Sequence, residues 1–408
     1  MSSPDGAHVS DLSAIVRKRS IVVCCGSGGA GKTTTSAAIA LAAAAAGRRA
    51  CVVTIDPARR LADALGIQAL SNSPKRIEGD WAGELSAVML DAKGTFDDLV
   101  ARYSADEEQA DRILSNRLYR NLTSALAGTQ EYMAAEKLYE LNESAAFDLV
   151  VVDTPPTRNA LDFLDAPGRL TRFLENRIFR LLLMPTRASL RALTVATQAL
   201  LKTISKVAGA EIVEDAVAFF RAFDGMEGGF RDRAKRVEQL LNDAGTSFVL
   251  VAAPRRDSVE EAGYFADRLG QAGQGVSALI MNRLHPDFRA VTDAPGGASP
   301  ASGAASNGAE TPGVEGLTRA EASKVLAEQR QNLADFQYLA DRERRYLTEL
   351  ESKIDGAIVP VPYLEQDVHD LPGLALVAAH LMGERAPRSS GAAVVAGPTS
   401  NERNGGSM

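Results

Sequence analysis

Short apolar runs recur along the chain at Ile21–Cys25, Ala50–Ile55, Leu85–Leu90, Asp148–Val152, Ser247–Ala252, Val276–Met281 and Ala357–Val361. They are bounded by turn residues and read as strands. Near-continuous runs such as Leu149-Val150-Val151-Val152 suit strands buried on both faces. Helical spacing fills the stretches between them. Strands alternating with helices predict an α/β fold, a mostly parallel sheet flanked by helices on both faces. The rhythm breaks between Thr157 and Asn242, where no strand pattern occurs. Helical stretches at Leu170–Leu183, Ala188–Val207 and Glu214–Phe223 make this segment far longer than a plain crossover, and it is expected to be a helical insertion.

The expected organisation follows from these patterns. Residues 1–19 form a polar leader with a short helix, and 20–156 the first part of the α/β core. Residues 157–243 form the helical insertion subdomain, and 244–291 the second part of the core. Residues 292–316 are low-complexity and expected to be disordered. Residues 317–385 carry a long helix, the last strand and a C-terminal helix of the core, and 386–408 a Gly/Ser/Ala-rich tail also expected to be disordered. The 408 residues are 45% hydrophobic, enough for a substantial core. Asp5, His8 and Asp11 interrupt the start where a secretory signal would be apolar. No apolar run reaches the roughly 20 residues that span a bilayer, so a cytoplasmic protein is expected. The net charge of −7 argues against nucleic acid as a partner. Cys24, Cys25 and Cys51 all fall in strand candidates, with no disulfide framework and no zinc spacing.

The chemistry concentrates after the first strand, in Gly26-Ser27-Gly28-Gly29-Ala30-Gly31-Lys32-Thr33. Strand, glycine loop and alanine-rich helix in that order are the context of a phosphate-binding P-loop. The glycines turn backbone N–H groups toward a phosphate, and the next helix adds its positive N-terminal end. Lys32 is placed to reach the β- and γ-phosphates, and the Thr33 hydroxyl to hold Mg²⁺. Gly26, Gly28 and Gly31 also satisfy a dinucleotide fingerprint, with Asp56 in the place of its ribose-binding acid. Lys32-Thr33 has no role in that reading, and a second magnesium-type acid follows at Asp153-Thr154.

Two later strand ends supply partners. In Thr54-Ile55-Asp56-Pro57, Asp56 can orient a water toward the γ-phosphate; the plain alternative is a helix cap with Pro at the first position. Val150-Val151-Val152-Asp153-Thr154 is an apolar strand ending in a carboxylate, the Walker B arrangement for Mg²⁺.

With these residues in view, SGGAGKTTT, DPARRLADALG and VVVDTPPTRNALDFL together resemble the ArsA-type ATPases. That family includes arsenical-pump ATPases and factors that deliver tail-anchored membrane proteins. The likeness is nearest to the single-half ArsA-like ATPases of actinobacteria, which tend to be encoded as neighbouring pairs. It runs from about Ile21 to Leu381 apart from 292–316, with VAAPRRDSVEEAGYFADRLGQAG, LIMNRLHP and VPVPYLEQDVHDLPGL as later matching elements. The resemblance implies ATP and Mg²⁺ as ligands. It implies a phosphate loop of Gly28, Gly29, Ala30, Gly31, Lys32, Thr33 and Thr34, with Asp56 polarising the lytic water. Asp153 would be the switch II acid, with Thr154 to Thr157 moving with the γ-phosphate. Asn282 would bond the adenine, with Pro362 and Tyr363 beside it. It also implies a nucleotide-sandwich dimer whose closure is coupled to ATP.

The chain departs from the family pattern at Ser27, where the family carries a lysine used across the dimer. A homodimer would then hydrolyse slowly or recruit another cation such as Arg158 or Arg59; a heterodimer with an ArsA-type paralogue would have that lysine supplied by its partner. Asn159, preceded by Arg158, replaces the family's switch II histidine. A zinc-bridging C-x-x-C and a cysteine cluster for arsenite or antimonite are both missing, so metalloid export is not expected. Arg169, Arg172, Arg177, Arg180, Arg187, Arg191, Lys202 and Lys206, around Leu181-Leu182-Leu183-Met184, form a basic amphipathic stretch. It suits a protein client or membrane surface, or simply a solvated helical face. Two rival functions stay open. One is a catalytically weak regulatory subunit of a heterodimer, which Ser27 favours; the other is a Min/Par-type positioning ATPase, which the acidic charge and Gly/Ser tail disfavour.

Overall fold

A computed structural model describes residues 9–56, 58–117, 119–120, 129–155, 162–175, 215, 218–219, 221–288, 318–364 and 366–384. Its strands are β1 (Ile21–Gly26), β2 (Arg49–Thr54), β3 (Lys75–Ile77), β4 (Glu84–Met89), β5 (Leu149–Asp153), β6 (Thr246–Ala252), β7 (Val276–Leu284) and β8 (Ala357–Pro362). They form one sheet in the order β3-β4-β2-β5-β1-β6-β7-β8. All neighbours pair in parallel except β3 with β4. The fold is the expected mostly parallel α/β sheet with helices on both faces. β3 was not among the expected strands. Lys75 and Arg76 are exposed and only Ile77 points inward, so no apolar run marks this edge strand.

The pleat divides the sheet residues between two cores. Val22 and Cys24 face α1 (Val9–Lys18), α2 (Lys32–Ala45) and, near the last strand, α11 (Leu371–Leu381). The alanines of α2 are buried from Ala37 to Ala44. Without larger side chains the helix lies close on the sheet and brings its N-terminus to the end of β1. Leu12, Ile15 and Val16 of α1 enter the same core, so the helix inside the leader is part of the packed domain. Ile21, Val23 and Cys25 face the other way, toward α6 (Thr129–Glu143), α8 (Glu227–Leu241), α9 (Arg256–Gln271) and the end of α10 (Arg319–Glu351).

A third cluster belongs to helices alone. It joins α4 (Ala92–Tyr103), α5 (Glu107–Leu114), α6, α7 (Asp162–Glu175) and α8 through Leu99, Ile113, Tyr132, Ala166 and Phe230, with Tyr119 and Phe223 packed among them. The helical lobe therefore draws on residues 92–143, before β5, as well as on the expected insertion. α7 begins eight residues before the first helical stretch expected there and shares only 170–175 with it; 176–183 lie outside the described residues. Arg177, Arg180, Arg187, Arg191, Lys202, Lys206 and the leucines at 181–183 lie outside the described residues, as do 292–316 and 386–408. Among the described residues no helix is long and apolar enough to cross a membrane.

Candidate functional site

The sheet order sets β5 between β2 and β1, so the segments after these three strands meet at one edge. That is where ligands sit in open parallel sheets. The loop after β1 carries the glycines, the turn after β2 carries Asp56, and β5 ends in Asp153.

Two glycines make the loop. Gly26 has φ +144°, and a Cβ there would lie 2.0 Å from the Val251 carbonyl oxygen on β6. Gly31 has φ +92°, and a Cβ there would lie 2.2 Å from Asn282 Nδ2. Gly31 also caps α2, whose first turn leaves backbone N–H groups without helical partners. The Lys32 ammonium is buried and donates to the Ser27 carbonyl at 2.9 Å. Burial lowers its pKa, and the Asp153 carboxylate opposes that shift.

Asp153 is 1% exposed. Its Oδ2 accepts from the hydroxyls of Thr33 at 2.8 Å and Thr54 at 2.9 Å, while its Oδ1 has no hydrogen-bond partner. Burial pushes its pKa up to about 6, against the pull of the two hydroxyls and Lys32. A buried carboxylate oxygen without a partner, beside a threonine hydroxyl, offers oxygen donors suited to a hard divalent cation, and Lys32 beside them is suited to the phosphates that would accompany it. Thr54 is a member that sequence reasoning missed. Its hydroxyl also accepts the Asp56 backbone N–H at 3.3 Å, which links the turn after β2 to Asp153.

Asp56 is not a helix cap. The helix that follows, α3 (Arg60–Ala64), starts four residues later with Arg59 as its cap. The Asp56 carboxylate accepts from the Ala58 backbone N–H at 2.9 Å and pairs with Arg60 at 3.3 Å. Thr154 closes the third segment, its hydroxyl donating to the Cys24 carbonyl at 2.7 Å. Arg158 and Asn159 lie outside the described residues.

Two clefts run side by side along this edge. One, of about 340 Å³, is lined by Lys32, Thr33, Asp56, Arg60 and Thr154. The other, of about 310 Å³, is lined by Asn282, Pro362, Tyr363 and His369. Gly31, Thr34, Arg283 and Val368 border both. The phosphate-type residues and the three residues expected at a base thus occupy adjoining compartments. Asn282 Nδ2 donates to the Ala30 carbonyl at 2.9 Å. The pairing of β7 with β8 shifts register between Met281 and Leu284, and Arg283 there has φ +66°. This irregularity directs Asn282 to the loop and Arg283 to the Gly29 carbonyl, 3.4 Å away. Arg60 and Arg283 fall inside the quoted stretches DPARRLADALG and LIMNRLHP, but no role was expected of either.

Ser27 points inward. It is 3% exposed, and its hydroxyl lies 2.5 Å from that of Ser258 on α9, which is itself buried and accepts the Ala253 N–H at 2.9 Å. The three cysteines are free and buried, and burial pushes the Cys25 and Cys51 thiols up to about 12 and Cys24 further in the same direction.

The chain is similar to known proteins over part of its length. The chain is 31% identical over 126 residues to a protein named ATPase get3 from Aspergillus terreus, covering 30% of this chain and 36% of that protein. It is 31% identical over 127 residues to an ATPase get3 from Neurospora crassa, covering 31% and 37%. With an ATPase GET3 from Pyricularia oryzae the identity is 32% over 130 residues, covering 31% and 37%. The matched stretch is thus little more than a third of the length of these relatives. A family profile described as anion-transporting ATPase matches far more, residues 19–293 of the 408. On that match, and with the loop and both acids inside it, the chain belongs to the ArsA ATPase family.

Proposed function

We propose that the protein binds Mg·ATP in the two adjoining clefts and hydrolyses it, coupling nucleotide state to dimer opening and closing and to the handling of a protein or membrane-linked client. The observation that carries the reading is the convergence of Lys32, Thr33, Asp56 and Asp153 at the ends of three neighbouring strands, beside a compartment lined by Asn282, Pro362 and Tyr363.

The N–H groups of Gly28, Gly29, Ala30 and Gly31 and of the first turn of α2 bind phosphate oxygens. Thr34 borders both compartments where phosphates would pass to sugar. Lys32 leaves the Ser27 carbonyl for the β- and γ-phosphates. Thr33 and Asp153 would hold Mg²⁺, which when bound supplies charge neutralisation on those phosphates. Asp56 orients the attacking water for in-line displacement and releases Ala58 or Arg60 to do so. Asn282 bonds the base and Tyr363 stacks on it.

The dimer partner is either a second copy or an ArsA-type paralogue. The inward Ser27, held against Ser258, favours the paralogue, because this chain then offers no lysine across the interface. The same observation favours a second reading, a nucleotide-binding regulatory subunit with little turnover of its own.

Steady-state phosphate release by the purified chain, with Mg²⁺ and with Asp56→Asn as control, tests the proposal. Turnover abolished in Asp56→Asn supports a self-sufficient active site. Tight ATP binding without turnover supports the paralogue-dependent or regulatory reading. Turnover unchanged in Asp56→Asn contradicts the assigned role.

A further inference from the structure

The base compartment is backed by side chains from three separate elements. Tyr363 follows β8, and its backbone N–H donates to the Leu284 carbonyl at 2.8 Å. Tyr363 lines the compartment and is 59% exposed, so burial does not fix its ring's orientation. His285, just past β7, does not line the compartment. Its ring lies nearly parallel to that of Tyr363, with centroids 5.3 Å apart at 17°. Glu343 of α10 holds His285 with both carboxylate oxygens. One accepts the His285 backbone N–H at 2.8 Å and the other lies 2.8 Å from its Nδ1. Glu343 is 4% exposed. The Phe336 ring, about two turns earlier on α10 than Glu343, lies 6.4 Å from the His285 ring.

A clamp that merely docks α10 on the sheet would need only the bond from Glu343 to the backbone. The second bond orients the imidazole, and the imidazole meets a half-exposed ring that borders the ligand compartment. An aromatic ring held from behind by offset stacking is a pre-organised platform for a flat base.

We propose that Glu343 and His285 form a positioning relay that holds Tyr363 as the stacking platform for a purine base and so couples base occupancy to the seating of helix α10. The inference rests on the reading of this cleft as a nucleotide site. Neither relay residue touches the nucleotide; both act through Tyr363. Coupling is reciprocal, so a base that presses Tyr363 onto His285 also steadies the α10 turn that carries Glu343.

The test is equilibrium binding of Mg·ATP and of Mg·tripolyphosphate, which lacks the base and sugar, to the full chain. Wild type is compared with His285→Ala, His285→Phe and Glu343→Gln. His285→Ala is expected to weaken ATP about tenfold, a typical size for loss of one well-placed aromatic contact, and to leave tripolyphosphate unchanged. His285→Phe keeps the stacking face and retains near-wild-type ATP affinity. Glu343→Gln loses a few-fold for ATP alone. Hydrogen exchange on wild type gives a readout that needs no variant to fold: ATP slows exchange around 336–350 and tripolyphosphate does not. Unchanged ATP affinity in His285→Ala, or equal losses for both ligands, overturns the relay. So does slowing of α10 exchange by both ligands alike. If wild type binds neither ligand, the nucleotide reading itself has failed, and the relay falls with it.

Discussion

The buried carboxylate of Asp153 makes the metal-free protein work against itself at neutral pH. Its pKa is pushed up to about 6 in the folded state, chiefly by burial, from about 3.9 in an unfolded chain. Between these values the folded state binds more protons than the unfolded one. Stability therefore falls as pH rises through the window from about 4 to 6 and is level above it. Two pKa units correspond to about 3 kcal/mol. Asp153→Asn removes the charge and keeps an acceptor for the Thr33 and Thr54 hydroxyls. Without divalent cation and at pH 8, the variant should be more stable than wild type by up to about 3 kcal/mol, with near-equal stability at pH 4. Urea unfolding in EDTA at both pH values measures this directly. Adding Mg²⁺ with ATP at pH 8 should reverse the order, because only wild type gains binding energy that unfolding must give up. An Asp153→Asn protein less stable than wild type at pH 8 in EDTA would refute the argument that burial dominates this site.

Two further outcomes follow from single contacts. Gly31→Ala puts a Cβ 2.2 Å from Asn282 Nδ2 at φ +92°, so ATP affinity should drop at least tenfold in a titration. Adding Asn282→Ala should not restore it, because the backbone strain of about 1–2 kcal/mol remains; full restoration would assign the loss to the clash alone. Arg233 on α8 is 3% exposed and paired with Glu136 of α6, 2% exposed, at 2.6 Å. Arg233→Ala leaves that carboxylate buried alone and should cost about 3–5 kcal/mol in urea unfolding. A loss under 1 kcal/mol would mean the helical lobe relaxes around the vacancy.

The strands were legible because doubly covered strands leave unbroken apolar runs, as in Leu149 to Val152. β3 was not, because an edge strand with only Ile77 inward leaves no such run. The loop and both acids were legible because their spacing sits at strand ends, where the fold makes side chains converge. The partners of those residues were not. That Thr54 bridges Asp56 and Asp153 depends on β2 lying beside β5, a pairing between residues about a hundred positions apart. Arg283 depends on a positive φ that no residue type announced, and Glu343 meets His285 only because α10 folds back over the end of β7. The expected leader helix is present as α1, but its buried face was not expected: Leu12, Ile15 and Val16, spaced i, i+3, i+4, enter the core and make it part of the packed domain.

Everything above turns on this cleft binding a nucleoside triphosphate through Lys32 and a divalent cation held by Thr33 and Asp153. Calorimetric titration of ATP into wild type and Lys32→Ala, each with Mg²⁺ and with EDTA, tests it most directly. Wild type should bind saturably and more tightly with Mg²⁺, and Lys32→Ala should lose at least a hundredfold, about 2.7 kcal/mol. Equal affinity in wild type and Lys32→Ala, or affinity indifferent to Mg²⁺, would contradict it.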